Sequence, residues 1–182
     1  MTRVCLVGSP EVNVQYELLS RETSREALAT YDLERPFENT LAVRTVSVGA
    51  AVSLLNDLEW YLVRFVDEAL VLEPSVSEEE WLSRELAVAI RNGELEPAET
   101  GEYLKLYGVE YPDDATLEPP ATDGGDEPAT DDATARATGA GAVGQLVEPL
   151  YVRRTDGEVP SYDLRDVDET LVVRLTEAEF TP

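Results

Sequence analysis

Residues 112–144 constrain what this 182-residue chain can fold into more than any other feature. The stretch consists mainly of Asp, Ala, Thr, Gly and Pro, and Leu117 and Val143 are its only large apolar side chains. Such a segment buries too little apolar surface to offset the entropy of ordering it. It reads as a disordered acidic insert. The core must then be assembled from both sides, so 1–111 and 145–182 are expected to form one domain together. The length suits a single domain.

Hydrophobic patterning divides the rest into elements. Residues 3–7 read as a buried strand that Gly8-Ser9-Pro10 ends. Val12, Tyr16, Leu19, Thr23 and Ala27 lie on one helical stripe, with Ser9 and Pro10 as a helix start. A rival strand reading of Val12, Val14, Tyr16 and Leu18 would delay the helix to the capping box Thr23-Ser24-Arg25-Glu26. The long helix is favoured. Residues 41–48 are strand-like, Gly49 to Leu58 helical, and Trp60 to Val66 a second strong strand that Ala69 to Leu72 extends. Ser77 and Glu80 form a capping box for a helix ending at Asn92-Gly93, and a further helix is expected from Pro97 to Tyr107. After the insert, Leu146 to Arg154 and Thr170 to Thr176 read as strands, with Asp156-Gly157 as a turn. The fold class expected is α+β: a mixed β-sheet of about five strands with helices packed on it.

Charge sets the environment. The chain carries 38 acidic and 14 basic side chains for a net charge of −24, and every base but Lys105 is arginine. At low salt that charge repels itself; at about 1 M salt the Debye length is roughly 3 Å and the repulsion is screened. Acidic side chains keep a surface soluble better than lysine does, and arginine has the weakly hydrated fork suited to paired sites. Eight acids and one base lie in 112–144, a net of −7, which leaves −17 on the rest. The folded part is therefore acidic too, and the balance fits a halophilic protein. With one cysteine, Cys5, no intrachain disulfide forms. No apolar run is long enough for a transmembrane helix, and the N-terminal run is too short for a signal peptide. A cytoplasmic location is expected, with no membrane partner.

Histidine is absent. That excludes His-based acid–base catalysis, His metal ligation and His-activated nucleophiles within this chain, and one Cys excludes thiolate-rich zinc sites. No metal and no cofactor is expected. Nucleic acid is excluded as a partner by the lack of a basic stripe and by the salt dependence of phosphate binding.

Two groups of residues remain as candidates. Arg3, Arg44, Arg64, Arg153 and Arg174 each fall in or at the end of an expected strand. Strand residues alternate faces, so several of them on one face would bind a small anion or a protein partner through bidentate guanidinium contacts. Cross-strand pairing with Asp or Glu is the competing reading, and it carries more weight. Asp57, Glu59, Asp67 and Glu68 bracket the Trp60–Val66 run and are the only carboxylates worth naming for an enzyme without histidine, with or without a divalent cation. The Val-Gly-Ser-Pro-Glu turn lacks the glycine patterns of nucleotide sites, and Glu11 would repel a phosphate. Cys5 in its apolar run reads as a buried, inert thiol.

Several blocks are familiar as a set: Arg3-Val-Cys-Leu-Val-Gly-Ser9, Tyr16-Glu-Leu-Leu-Ser-Arg-Glu-Thr23, Trp60-Tyr-Leu-Val-Arg-Phe-Val-Asp-Glu-Ala-Leu70, Glu80-Trp-Leu-Ser-Arg-Glu-Leu86, Leu146-Val-Glu-Pro-Leu-Tyr-Val152 and Tyr162-Asp-Leu-Arg-Asp-Val-Asp168. Together they resemble an uncharacterised protein family of haloarchaea, a domain of unknown function. The resemblance implies a haloarchaeal cytoplasmic protein and assigns no activity or site residue. It also implies that the long insert is a local elaboration, because members join the two flanking blocks by a shorter stretch. The functional expectation is a non-catalytic binding or interaction module. An Asp/Glu enzyme is the alternative, and a homo-oligomer formed through a sheet edge or aromatic patch is a third reading.

Overall fold

The computed structural model describes residues 1–111 and 143–181. Its centre is one mixed seven-stranded sheet, and it has six α-helices among the described residues. The first strand, β1 (Thr2–Gly8), is flanked by β2 (Thr40–Thr45) and β3 (Val66–Leu72), both antiparallel to it. The three-residue β4 (Trp81–Ser83) joins β3 antiparallel and β7 (Glu169–Leu175) parallel. Antiparallel β5 (Tyr103–Glu110) and β6 (Gln145–Arg153) complete the order β2-β1-β3-β4-β7-β5-β6. Strands from both sides of the insert thus share one sheet. The fold class is α+β as expected, with seven strands rather than five.

The sheet curls until its two ends meet. Phe37, just before β2, bridges Gly144, just before β6, and the Glu38 N–H donates to the Gly144 carbonyl at 2.8 Å. Strand alternation then gives two apolar faces. On the outer face Val4, Leu6, Leu41, Val43, Val71 and Leu82 pack under the helices α1 (Val14–Leu19), α2 (Glu22–Leu28), α3 (Val48–Asp57), α4 (Glu59–Phe65) and α5 (Arg84–Arg91), through side chains such as Val14, Leu18, Leu55, Leu62 and Leu86. On the inner face Cys5, Ala42, Leu70, Trp81, Tyr107, Val109 and Val173 fill the hollow of the curl. Two fully committed faces explain why β1 is buried along most of its length. A closing helix, α6 (Glu177–Phe180), brings Phe180 to 5.1 Å from the Tyr103 ring.

Several expectations are corrected. The long N-terminal helix is two short ones, and the start is neither Ser9 nor Thr23: Asn13 caps α1 and Arg21 precedes α2. The inward residues are Val14 and Leu18, so Tyr16 points to solvent. Trp60 to Val66 is not a strand. Its first six residues lie in α4, where Leu58, Tyr61 and Leu62 turn inward at helical spacing, and the strand begins only at Val66. Arg64 is therefore a helix residue. Ser77 does accept the Glu80 N–H, but it closes a turn; the helix begins after Ser83, whose hydroxyl accepts the Leu86 N–H at 3.2 Å. The helix expected from Pro97 is a single 3₁₀ turn, Pro97–Glu99. Gly101, at φ 98°, then redirects the chain into β5. The insert expected over 112–144 lies outside the described residues except for Val143 and Gly144. Those two belong to the fold, and Gly144 is buried. Among the described residues no helix is long and apolar enough to cross a membrane.

Candidate functional site

The strand arginines do not form one open face. Arg3 and Arg44 stand opposite each other in the β1–β2 ladder, and both reach Glu34, at 2.9 and 3.2 Å. The Arg3 guanidinium also lies 5.6 Å from the Trp81 ring centre. Arg174 points to the other side of the sheet, in register with Leu82 and Leu104. It meets Glu80 at 2.7 Å, and Arg154 meets the same carboxylate oxygen at 2.5 Å. Burial disfavours the Glu80 charge, but hydrogen bonds from Arg154 and Arg174 outweigh it and hold the carboxyl below its ordinary range. Arg153, on exposed β6, pairs with Glu102. Arg64 is different. Its guanidinium stacks 3.8 Å from the centre of the Trp60 ring and donates to the Trp60 carbonyl at 2.8 Å, and it meets no carboxylate among the described residues.

The four named carboxylates also separate. Asp57 ends α3 and Glu59 begins α4, where Glu59 pairs with Arg84. Asp67 and Glu68 lie beyond the other end of α4, in β3. A seven-residue helix between the pairs is on the order of 10 Å long. Among the described residues no three His, Cys, Asp or Glu side chains converge as a metal site would need.

What the fold does bring together is Glu68, Lys105 and Tyr107. Glu68 sits on the inner face of β3, where Val7 is its β1 partner, and Lys105 and Tyr107 are successive inner-face residues of β5. One Glu68 carboxylate oxygen accepts the Lys105 ammonium at 2.8 Å and the Tyr107 hydroxyl in a short contact. Both charged side chains are largely buried, at 15% and 13% exposure. Burial works against the Lys105 charge, yet the Glu68 carboxylate outweighs it and raises the ammonium above its ordinary value. Burial and the same carboxylate push the Tyr107 phenol up. The lysine is also flanked by rings, 5.0 Å from Tyr107 and 5.5 Å from Tyr151.

Lys105 and Tyr107 help line a cleft of about 460 Å³ at this end of the curl. Its walls are Val7, Gly8 and Pro10 on one side and Leu146 to Pro149 on the other, with Glu38, Asn39 and Asp67 between them. Asn39 builds the rim. At φ 53° it takes a left-handed backbone, its Oδ1 accepts the Val14 N–H, its Nδ2 donates to the Ser9 carbonyl and its own carbonyl accepts the Gly8 N–H, each at 2.9 Å. A Cβ on Gly8 would stand 2.7 Å from Val14 Cβ and 2.8 Å from the Asn39 amide, so only glycine allows this approach. The Ser9 N–H is taken by the Phe65 carbonyl and its hydroxyl by Asp67. The Gly8-Ser9 turn therefore offers no free donors to a phosphate.

Sequence reading missed Lys105, Tyr107 and Asn39. The first had a signal: it is the only lysine in a chain that otherwise uses arginine, and Tyr107 follows at strand spacing. Asn39 had none. Cys5 is buried, and burial pushes its thiol up to about 12.

A family model described as a family of unknown function (DUF5804) matches residues 2–109, which reach from β1 through nearly all of β5. No curated protein and no solved structure matches the chain.

Proposed function

The chain belongs to this family of unknown function, DUF5804, and from its own geometry we propose a non-catalytic binding module that holds a small polar molecule in the cleft beside Glu68, Lys105 and Tyr107. The observation that carries the reading is the state of that trio. A general acid or base works best with a pKa near the operating pH. Lys105 and Tyr107 are both shifted upward, so both stay protonated at neutral pH. The Tyr107 O–H is already donated to Glu68, which leaves its oxygen as a fixed acceptor. Glu68 takes one of the three Lys105 N–H donors. A rigid pair of this kind, an ammonium donor and a phenol acceptor beside a cleft of this size, suits recognition rather than proton transfer.

The cleft walls add Glu38, Asp67 and Glu148 to the balance. That acidity favours an uncharged or cationic ligand over an anion. The strand arginines support an anion less well, because Arg3, Arg44, Arg153 and Arg174 would each have to leave a carboxylate. An Asp/Glu enzyme is supported less still, since Asp57 and Glu59 stand at the far end of α4 from Asp67 and Glu68. The net charge and near-absence of lysine support a haloarchaeal cytoplasm as the setting.

Thermal melting in molar KCl with sets of polyols, amines, phosphates and nucleotides tests this. Protection by members of the first two sets that is lost in Tyr107→Phe supports the cleft. Protection by phosphates or nucleotides that is lost in Arg44→Ala or Arg174→Ala would overturn it in favour of the arginines.

A further inference from the structure

We propose that the outer face of α4, centred on Trp60 and Arg64, is a docking surface for an acidic protein segment that carries apolar side chains. This surface is separate from the cleft. Trp60 is 49% exposed and Val63 72% exposed, while their neighbours Tyr61 and Leu62 are buried. Trp60, Val63 and Arg64 are neighbours on one helix face by their i, i+3 and i+4 spacing. Arg21, which follows α1 and pairs with Glu17 at 3.2 Å, reaches the same place: its guanidinium is 5.7 Å from the Trp60 ring centre and 5.0 Å from that of Phe65. The Trp60 ring is braced edge-on by Tyr61 at 5.0 Å. A held tryptophan flanked by arginines has the composition of an interface hot spot.

Charge chooses the occupant. Acids outnumber bases 38 to 14, and Arg3, Arg21, Arg44, Arg84, Arg153, Arg154, Arg165 and Arg174 each meet a carboxylate. Arg64 meets none among the described residues, nor do Arg25, Arg35 and Arg91, and of these four it is the one stacked on an exposed ring. Stacking on the indole fixes its planar fork while leaving donors for a carboxylate from outside. A second copy of this chain fits less well. A two-fold contact through this face would set Arg64 near its own symmetry mate and bring it no carboxylate. Nucleic acid fits less well still, because binding by phosphate neutralisation needs several basic side chains and weakens steeply in molar salt. Ring stacking and a weakly hydrated guanidinium also keep working in salt that screens ordinary surface charges.

The test uses the full chain in molar KCl and two synthetic peptides, one alternating Glu with Leu and Phe, the other with Lys in place of Glu. The readout is acrylamide quenching of tryptophan fluorescence, to which half-exposed Trp60 contributes far more than buried Trp81. The acidic peptide is expected to shield Trp60, and Arg64→Ala to weaken it on the order of tenfold. Ala is a good helix former, and a melting curve of Arg64→Ala confirms the fold. Arg64→Lys, which keeps the charge and loses the fork, should fall between the two. No shielding by the acidic peptide, equal shielding by both peptides, or equal binding by Arg64→Ala overturns the proposal. So does a dimer in sedimentation that Trp60→Ala converts to monomers.

Discussion

At Glu68 a single carboxylate oxygen serves both Lys105 and Tyr107, so each member of the trio depends on the other two. Lys105→Met removes the charge partner of a largely buried carboxylate and is expected to cost about 2 kcal/mol. Denaturant titration in molar KCl measures it. The alkaline limb is a separate check. Lys105 and Tyr107 are both raised above their ordinary values, so the folded state keeps protons that the unfolded chain loses. The trio's contribution is complete below about pH 10 and declines as pH rises beyond it. The double variant Lys105→Met with Tyr107→Phe should flatten that decline. Glu80 acts at the other end of the scale. Its lowered carboxyl adds stability above the ordinary range for Glu, and that contribution is lost as pH falls through its folded value. Cys5 follows from burial alone: with its thiol pushed up to about 12, thiol reagents should label it only as fast as the protein unfolds. Labelling at the rate of a free thiol in native protein would contradict that.

At the scale of elements, Ser83 links three of them. It ends β4, caps α5 by accepting the Leu86 N–H, and donates to Glu179 of α6. Ser83→Ala should cost about 1–2 kcal/mol, measured by the same denaturant titration, more than a cap whose hydroxyl has no second partner. Elements with one dominant pattern were legible in the sequence: β1, β2, α3, β6 and β7 lie where alternation or helical spacing puts them. The misplaced ones have two patterns at once. Trp60 to Val66 is a continuous apolar run whose length fits a strand, while Leu58, Tyr61 and Leu62 are spaced for a helix. The helix prevails because those three then meet the outer core while Arg64 and Val63 stay in solvent. In β5, Leu104 and Leu106 alternate with Lys105 and Tyr107, but the Pro97 start masks the alternation. The candidate cleft was less legible than the fold, because Glu68 and Lys105 lie 37 residues apart and meet only through the curl. Asp67 and Glu68 are marked in the sequence by following an apolar run, and nothing there marks Lys105 as the partner of Glu68.

For the whole molecule, the insert enters and leaves at one point. Glu110 and Gln145 are partners in the β5–β6 ladder, so the chain departs and returns at neighbouring positions, roughly 5 Å apart at Cα. A short hairpin turn spans that gap. Replacing 112–142 by such a turn keeps Tyr111, whose N–H reaches Asp168 and whose hydroxyl reaches Glu169, both at 3.0 Å. Cooperative unfolding should persist, with stability changed by no more than about 1 kcal/mol, because loop closure varies only slowly with loop length. A loss of several kcal/mol would show that residues 112–142 pack on the domain. The same variant tests the salt dependence expected of so acidic a chain. Removing the insert takes the net charge from −24 to −17, since 112–142 hold eight acids and one base. If the folded surface repels itself at low salt, the melting temperature of the shortened protein should still climb from dilute buffer to molar KCl, by somewhat less than in the full chain. A flat salt response after shortening would place the repulsion in the insert.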